Sequence, residues 1–280
     1  MAKVEKNEER EIIEIPALEV RSMTFNILGL TPLILNRQSE KAKRQLLLPS
    51  KKMNQAERDQ TLKHNPYEEF RASAYINRDE NTPTYLHVPG GFFKRSTASA
   101  ALDIPGARKA QVGRLVSLTT TTVFVWGIPH LKSDMVRQAG IAKTPDCRFR
   151  TCIPEWATQI TMSFIPAIIS ATSLVNLVAA AGVIVGCGDY RVEKGAGDFG
   201  KWCIVDDDDP TWLRIMAEGG REAQIAAMDN PIFYDQETQD LVKWFDEEVD
   251  RRRRTPTVVS LASKNGKAAK GKSTNEDAIQ

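Results

Sequence analysis

The feature that most restricts how this chain folds is a strongly apolar segment, which covers residues 173–186 and reads SLVNLVAAAGVIVG. A helix that crosses a membrane needs roughly 20 apolar residues, so this shorter segment is predicted to supply most of a core helix over residues 170–185. Strands are predicted on both sides of it, in residues 154–165 and 200–206. The helix is therefore expected to pack against a sheet.

The connection between this helix and the strand after it is rich in glycine. It covers residues 186–202 and reads GCGDYRVEKGAGDFGKW; it is called the glycine-rich loop below. Glycine lets backbone N–H groups approach an anion, and arginine and lysine add charge for a phosphate. The loop lacks the GxxxxGK[ST] pattern, so nucleotide hydrolysis is not predicted. The alternative is a long turn with solvated charges, because its acidic residues (Asp189, Glu193, Asp198) match its basic ones (Arg191, Lys194, Lys201) in number.

Earlier parts of the chain predict further strands and helices. Alternating side chains predict a strand at the start of residues 18–37. Residues 65–76 are predicted to form a short helix with Asn65 as its N-cap. A strand followed by a helix of small residues is predicted in 84–102. The many β-branched residues in 114–127 predict another strand.

The order of these elements predicts an α+β protein of the ferredoxin-like, RRM-related type, in which an antiparallel sheet carries its helices on one face. A doubly wound fold is the alternative. It is disfavoured because no GxGxxG sequence follows a strand and opens a helix.

The predicted ferredoxin-type domain occupies residues 16–210 and includes a mobile polar insertion at 38–64. A flexible charged leader is expected in residues 1–15. Helices are expected to extend the domain over residues 211–254. The final segment, 255–280, has almost no large apolar residues, so we expect a disordered basic tail.

Composition limits the kind of partner. Lysine and arginine (38) nearly balance aspartate and glutamate (36), for a net charge of +2, so a nucleic-acid site must come from local clustering of charge. The N-terminus has no apolar core of a signal peptide. The four cysteines lack the spacing of a zinc site and are expected to be free thiols in a reducing cytoplasm. We therefore expect a cytoplasmic protein with no membrane partner.

Two further segments combine glycine with positive charge. In HVPGGFFKRSTASAAL (87–102), Lys94 and Arg95 lie at the start of the predicted helix, where backbone N–H groups favour an anion. The alternative is that Phe92 and Phe93 enter the core while the two cations face water. The second segment, IPGARKAQVGR, contributes cations at the positions Arg108, Lys109 and Arg114. We expect these segments to converge on a positive groove along one face of the sheet.

These motifs resemble those of the RAMP superfamily. FNILGLTPLILNR (25–37) is similar to the first strand and turn of that family, and 87–102 to its strand, Pro-Gly and helix segment. The helix at 170–185 followed by the glycine-rich loop resembles the loop near the end of its ferredoxin-like fold. The resemblance covers roughly residues 18–206. It implies RNA binding within CRISPR-effector-type complexes, often as filaments, and some members cleave RNA. The chain also resembles a phage-type protein that handles single-stranded DNA or RNA.

The leading hypothesis is a non-enzymatic protein that binds single-stranded RNA or DNA as a homo-oligomer or within a multi-subunit complex. No catalytic, metal or cofactor residue is predicted. The predicted contacts to nucleic acid are Lys94, Arg95, Arg108, Lys109, Arg114, Tyr190, Arg191, Lys194, Phe199 and Lys201. Tyr190, Phe199 or Trp202 is expected to stack on bases, with a place in the core as the alternative for Trp202. One alternative is a metal-independent endoribonuclease with His87 or His130 as general base. The other is an assembly protein without nucleic acid, with subunit contacts through the helices at 170–185 and 235–254.

Overall fold

A computed structural model describes residues 17–38, 62–137, 144–194 and 197–254. The chain divides into two compact units, residues 1–240 and 241–280. The expectations for the leader, for nearly all of the polar insertion and for the tail lie outside the described residues.

The strands in chain order are β1 (Arg21–Gly29), β2 (Leu33–Ile34), β3 (His87–Pro89), β4 (Ser117–Leu118), β5 (Thr122–Trp126), β6 (His130–Arg137), β7 (Pro145–Ile153), β8 (Ala157–Phe164), β9 (Trp202–Val205) and β10 (Ile232–Phe233). The helices are α1 (Pro66–Ser73), α2 (Gly91–Ala100), α3 (Lys109–Leu115), α4 (Ala171–Ile184), α5 (Pro210–Glu218), α6 (Arg221–Asp229) and α7 (Gln236–Arg254). In the described ranges, none of these helices combines the length and hydrophobicity that a bilayer span requires.

The main sheet confirms the predicted α+β class. Its strands lie in the order β3-β5-β8-β1-β9, and β4 adds to β8. All pairs are antiparallel. The sequence β1, α2, β5, β8, α4, β9 with spatial order β9-β1-β8-β5 is the split βαβ arrangement of ferredoxin-like folds.

Strand β1 shows why this sheet buries one face. Phe25 and Ile27 alternate with Thr24 and Asn26, so the apolar pair points to the face covered by α2 and α4. The two helices bury Phe93 of α2 against Trp202 of β9, with ring centroids 5.3 Å apart. This layer is the core that holds the glycine-rich loop in place.

The hydrophobic helix α4 begins after Ser170, whose side chain accepts a hydrogen bond from the Ser173 N–H at 3.1 Å. It packs so closely on β9 that a Cβ at Gly182 would overlap the Trp202 carbonyl oxygen. The short helix α1 begins, as the sequence predicts, at Pro66 with Asn65 as its N-cap.

A second sheet, which the sequence did not predict, has the order β10-β6-β7-β2. It buries charged residues: Lys132 of β6 and Arg150 of β7 lie below a tenth exposed, beside Asp134. Residues 109–115 differ from expectation as well. They form helix α3, with Val112 in the core, so the strand predicted over 114–127 is reduced to β4 and β5.

Helices α5 and α6 contact the main sheet. On the face opposite α2 and α4, α5 packs Trp212 and Ile215 against Ala157. From α6, the fully buried Gln224 accepts from the Tyr85 and Leu86 N–H groups and donates to three carbonyl oxygens. Every polar atom of this buried amide is therefore satisfied.

Candidate nucleic-acid interface

A cavity of about 410 Å³ lies where α2 and α3 meet the glycine-rich loop. Four cationic side chains and one carboxylate line it, and Phe92 forms part of its wall. The lining residues are Phe92, Arg95, Ser96, Ala98, Ser99, Lys109, Cys187, Gly188, Arg191, Glu193 and Lys194. Four of the ten predicted contact residues, from three separate segments, are thus brought together; this site is called the basic cavity below.

Local hydrogen bonds position the cations of the basic cavity. Arg95 donates from Nε to the Gly91 carbonyl oxygen one turn earlier, at 2.9 Å. Lys109 donates from Nζ to the Ser99 hydroxyl at 3.0 Å, which links α3 to α2. Each contact leaves further N–H groups of the same side chain able to bind an anion.

Backbone geometry brings the glycine-rich loop to the cavity. Gly186 and Gly188 have φ values of 73° and 80°, in the left-handed region that favours glycine. The Cys187 N–H donates to the Gly200 carbonyl oxygen at 2.9 Å, and the Asp189 N–H donates to Ile34 at 3.0 Å. The loop is therefore fastened at its base, and Arg191 follows directly.

Arg191 forms an ion pair within the cavity. It donates to Glu193 Oε2 from Nε at 2.9 Å and from a terminal nitrogen at 2.7 Å, and its other terminal nitrogen donates to Gly188 O at 3.2 Å. Burial acts to raise the pKa of Glu193, but hydrogen bonds from Ser99 and Arg191 and the charges of Arg191 and Lys194 outweigh it, so the pKa is lowered. Glu193 is thus held as a carboxylate.

Aromatic side chains that were not among the predicted nucleic-acid contacts extend from the cavity. Phe92, which lines it, meets Tyr75 edge-on at 5.9 Å between ring centroids, and Tyr75 lies 5.9 Å from the His87 ring. Burial raises the pKa of Tyr75, with Asp189 acting in the same direction and the charges of Arg37 and Arg95 against it. The sequence could not show which phenylalanine lines the cavity, because Phe92 and the buried Phe93 are adjacent and chemically identical.

The other predicted cations lie outside the lining of the basic cavity. Arg108 borders a different groove beside α4, which polar and apolar side chains line together. Arg114 is exposed on α3 and donates to the Ala110 carbonyl oxygen at 3.2 Å. Lys201 forms an ion pair with Asp198. Lys94 is half-buried on α2, next to Arg95.

The two predicted stacking residues of the loop contact buried cations instead of lining the cavity. Arg150 lies over the Tyr190 ring at 5.2 Å and pairs with Asp189 at 3.0 Å. Lys132 lies 5.7 Å from the Phe199 ring centroid. These cation–π contacts fasten the loop to the second sheet. Trp202, also considered for stacking, is fully buried in the core.

The face of the main sheet opposite α2 and α4 is covered in part by α5, and its uncovered part is called the open face below. This open face does not carry the positive groove that we expected. Its central positions on β1 and β8 are uncharged: Thr24 and Thr161 share a hydrogen bond of 2.9 Å between their hydroxyls, and Gln159 donates to Asn26 at 2.9 Å. Four of the described cations, Arg95, Lys109, Arg191 and Lys194, line the basic cavity on the helical side instead.

His87, His130 and the four cysteines have environments that disfavour their charged forms. Burial lowers the pKa of His87, with a smaller contribution from Arg37, and burial alone lowers that of His130. Burial raises the pKa of Cys152 to about 12 and raises that of the fully buried Cys187. Among the described residues, no group of three or more acidic, histidine or cysteine side chains is arranged to hold a metal ion.

No protein-family model matches the chain, and no curated protein matches it. Among the solved structures similar to this chain are two that share 10% sequence identity with it. Cmr6 from Pyrococcus furiosus gives a TM-score of 0.34 over 68% of this chain and 100% of its own. A chain of the Type III-B Cmr-beta complex bound to cognate target RNA gives 0.36 over 67% of this chain and 59% of its own. Function is therefore inferred from this chain's own side chains.

Proposed function

We propose that this protein binds single-stranded nucleic acid, with the phosphate backbone in the basic cavity. The proposal rests on one observation: four cationic side chains line one cavity, and only one carboxylate, that of Glu193, lines it with them. The four cations are Arg95, Lys109, Arg191 and Lys194. Like charges that lie close together repel one another, and a bound polyanion would reduce this repulsion. Binding would also release counterions from the nucleic acid.

The rings beside the cavity favour a single strand. Phe92 is half-buried in the wall and contacts Tyr75 outside it. An unpaired base can stack on such a ring, whereas the bases of a duplex are already stacked on one another. Phosphates in the cavity and a base on Phe92 would together hold one strand without reading its sequence.

We further propose that the protein acts within an oligomer or a multi-subunit assembly of the CRISPR-effector type, without catalysing a reaction. Light scattering with and without a single strand tests this part. We expect particles that contain more than one copy of the chain when nucleic acid is present. A mass of one chain alone, and of one chain plus one strand when nucleic acid is added, would contradict the assembly and leave binding itself in place.

Fluorescence anisotropy with labelled single-stranded RNA and DNA, over a series of salt concentrations, tests binding. Arg95→Ala, Lys109→Ala and Arg191→Ala should each weaken binding. Each should also reduce the slope of log affinity against log salt by about 0.7, the value for one lost phosphate contact on a single strand.

Arg114→Ala is the matched control, because Arg114 lies on the same helix as Lys109, is exposed, and does not line the cavity. It should leave both affinity and slope close to those of the wild type. Absence of binding at low salt would refute the function. Equal losses from the cavity variants and from Arg114→Ala would refute the cavity as its site.

A further inference from the structure

The basic cavity already holds an anion, which is the chain's own Glu193 carboxylate. Its Oε2 accepts both hydrogen bonds from one edge of the Arg191 guanidinium, at 2.9 and 2.7 Å. Ser99 lines the same cavity, and its side chain contributes to the lowered pKa of this carboxylate. The Ser99 hydroxyl accepts from Lys109 Nζ at 3.0 Å. A carboxylate that is held by an arginine edge, beside a hydroxyl and a lysine, occupies the kind of site that binds a phosphate.

We propose that Arg191, Ser99 and Lys109 form a phosphate subsite, and that Glu193 occupies this subsite until a phosphate of the bound strand displaces its carboxylate. This inference rests on the proposed function, since it takes the strand as the source of the phosphate. It adds a residue that sets the affinity: a strand must compete with Glu193 for the same donors.

The backbone allows this exchange without refolding the loop. The Glu193 N–H donates to the Val185 carbonyl oxygen at 3.2 Å, and the Lys194 N–H donates to Arg191 O at 3.0 Å. These bonds hold the short turn Val192–Lys194 against the end of α4. Only the Glu193 side chain needs to rotate away for the subsite to open.

The donors would stay in place after the carboxylate leaves. Arg191 is held independently by its bond to the Gly188 carbonyl oxygen at 3.2 Å, from the terminal nitrogen that does not contact Glu193. Ser99 is buried on α2 and keeps its contact with Lys109. The subsite is therefore organised before a phosphate arrives, which lowers the entropy cost of binding.

The variant Glu193→Gln removes the competing charge while keeping the size of the side chain. An ion pair that is partly exposed to solvent contributes up to about 1 kcal/mol, so freeing Arg191 should tighten binding of a labelled single strand roughly two- to fivefold. Asp198→Asn is the matched control. It makes the same change of charge in the same loop, but Asp198 pairs with Lys201 and does not line the cavity.

A double-mutant cycle separates displacement from a general change of charge. We expect Arg191→Ala to cost more affinity in the Glu193→Gln background than in the wild type, because Arg191 is then fully available to phosphate. Equal tightening by Glu193→Gln and Asp198→Asn, or weaker binding by Glu193→Gln, would overturn the displacement while leaving nucleic-acid binding intact. No binding by any of these proteins would refute the proposed function instead.

A second measurement does not depend on a nucleic acid. Inorganic phosphate should raise the melting temperature of Glu193→Gln at lower concentrations than it does for the wild type, because ligands stabilise the folded state that binds them. Arg191→Ala should abolish this stabilisation. A phosphate response that is the same in all three proteins would contradict the subsite.

Discussion

Two tryptophans are equally buried but differ in whether the indole N–H has a hydrogen-bond partner. Trp156 and Trp202 are both fully buried in the first unit. Trp156 donates from Nε1 to the Thr31 carbonyl oxygen at 2.9 Å. The Nε1 of Trp202 is buried without a hydrogen-bond partner. A buried N–H group without a hydrogen-bond partner lowers the free energy of unfolding, so the Trp202 N–H is destabilising.

The two indoles should therefore respond differently to the same substitution. Trp156→Phe leaves the Thr31 carbonyl oxygen without its donor, whereas Trp202→Phe removes a donor that has no partner. We expect Trp156→Phe to lower the free energy of unfolding by about 1–2 kcal/mol more than Trp202→Phe does. Urea denaturation of both variants measures the difference. Equal losses would show that the volume of the indole, and not its N–H, determines the cost.

At the scale of elements, the glycine-rich loop is a packed structure. Gly200 has a φ of 69°, and a Cβ at this position would overlap the carbonyl oxygen of Cys187. Its own N–H donates to the Pro32 carbonyl oxygen at 2.8 Å. The glycines that suggest a phosphate cradle in the sequence serve in large part to let the loop lie against its neighbours.

Gly200→Ala should be strongly destabilising, and Gly106→Ala provides the control. Gly106 has a φ of 84°, but a Cβ there would meet nothing within 4 Å. Gly106→Ala should thus cost only the left-handed backbone strain, about 1–2 kcal/mol, whereas Gly200→Ala adds an overlap and should cost at least about 3 kcal/mol. Chemical denaturation compares the two. A cost for Gly200→Ala no greater than that for Gly106→Ala would contradict the packing described for the loop.

Elements with a strong local signal could be predicted from the sequence, whereas elements that depend on distant partners could not. The N-cap Asn65 and the alternation of β1 predict their elements because the signal lies within a few residues. Strands β6 and β7 were missed because buried Lys132 and Arg150 look like surface charges until Asp134 and Asp189 are placed beside them.

The candidate site shows the same limit. The sequence identified Arg191 and Lys194 as cations of the loop, but not that α3 would carry Lys109 to the same cavity. Tyr190 and Phe199 were predicted to stack on bases, but their rings contact Arg150 and Lys132. The sequence could not show these contacts, because both cations lie far from the loop along the chain. The residue types of the site could be predicted from the sequence, but the residues that contact them in the fold could not.

At the scale of the whole molecule, the first unit distributes charge unequally over its surfaces. The open face of the main sheet presents hydroxyl and amide groups such as Thr24, Thr161 and Gln159. The side formed by α2, α3 and the glycine-rich loop presents the basic cavity and Phe92. The proposed function therefore requires a strand to bind on the helical side, away from the face that RRM-type domains use.

Photochemical cross-linking tests this central claim most directly. A single strand carrying 5-iodouracil is irradiated with the protein, and the attached peptides are identified by mass spectrometry. We expect attachment at Phe92 or Tyr75, beside the basic cavity, and little at Tyr190 or Phe199, whose rings contact Arg150 and Lys132. A strand that binds but attaches only to the peptides of β1 and β8, on the open face of the sheet, would contradict it.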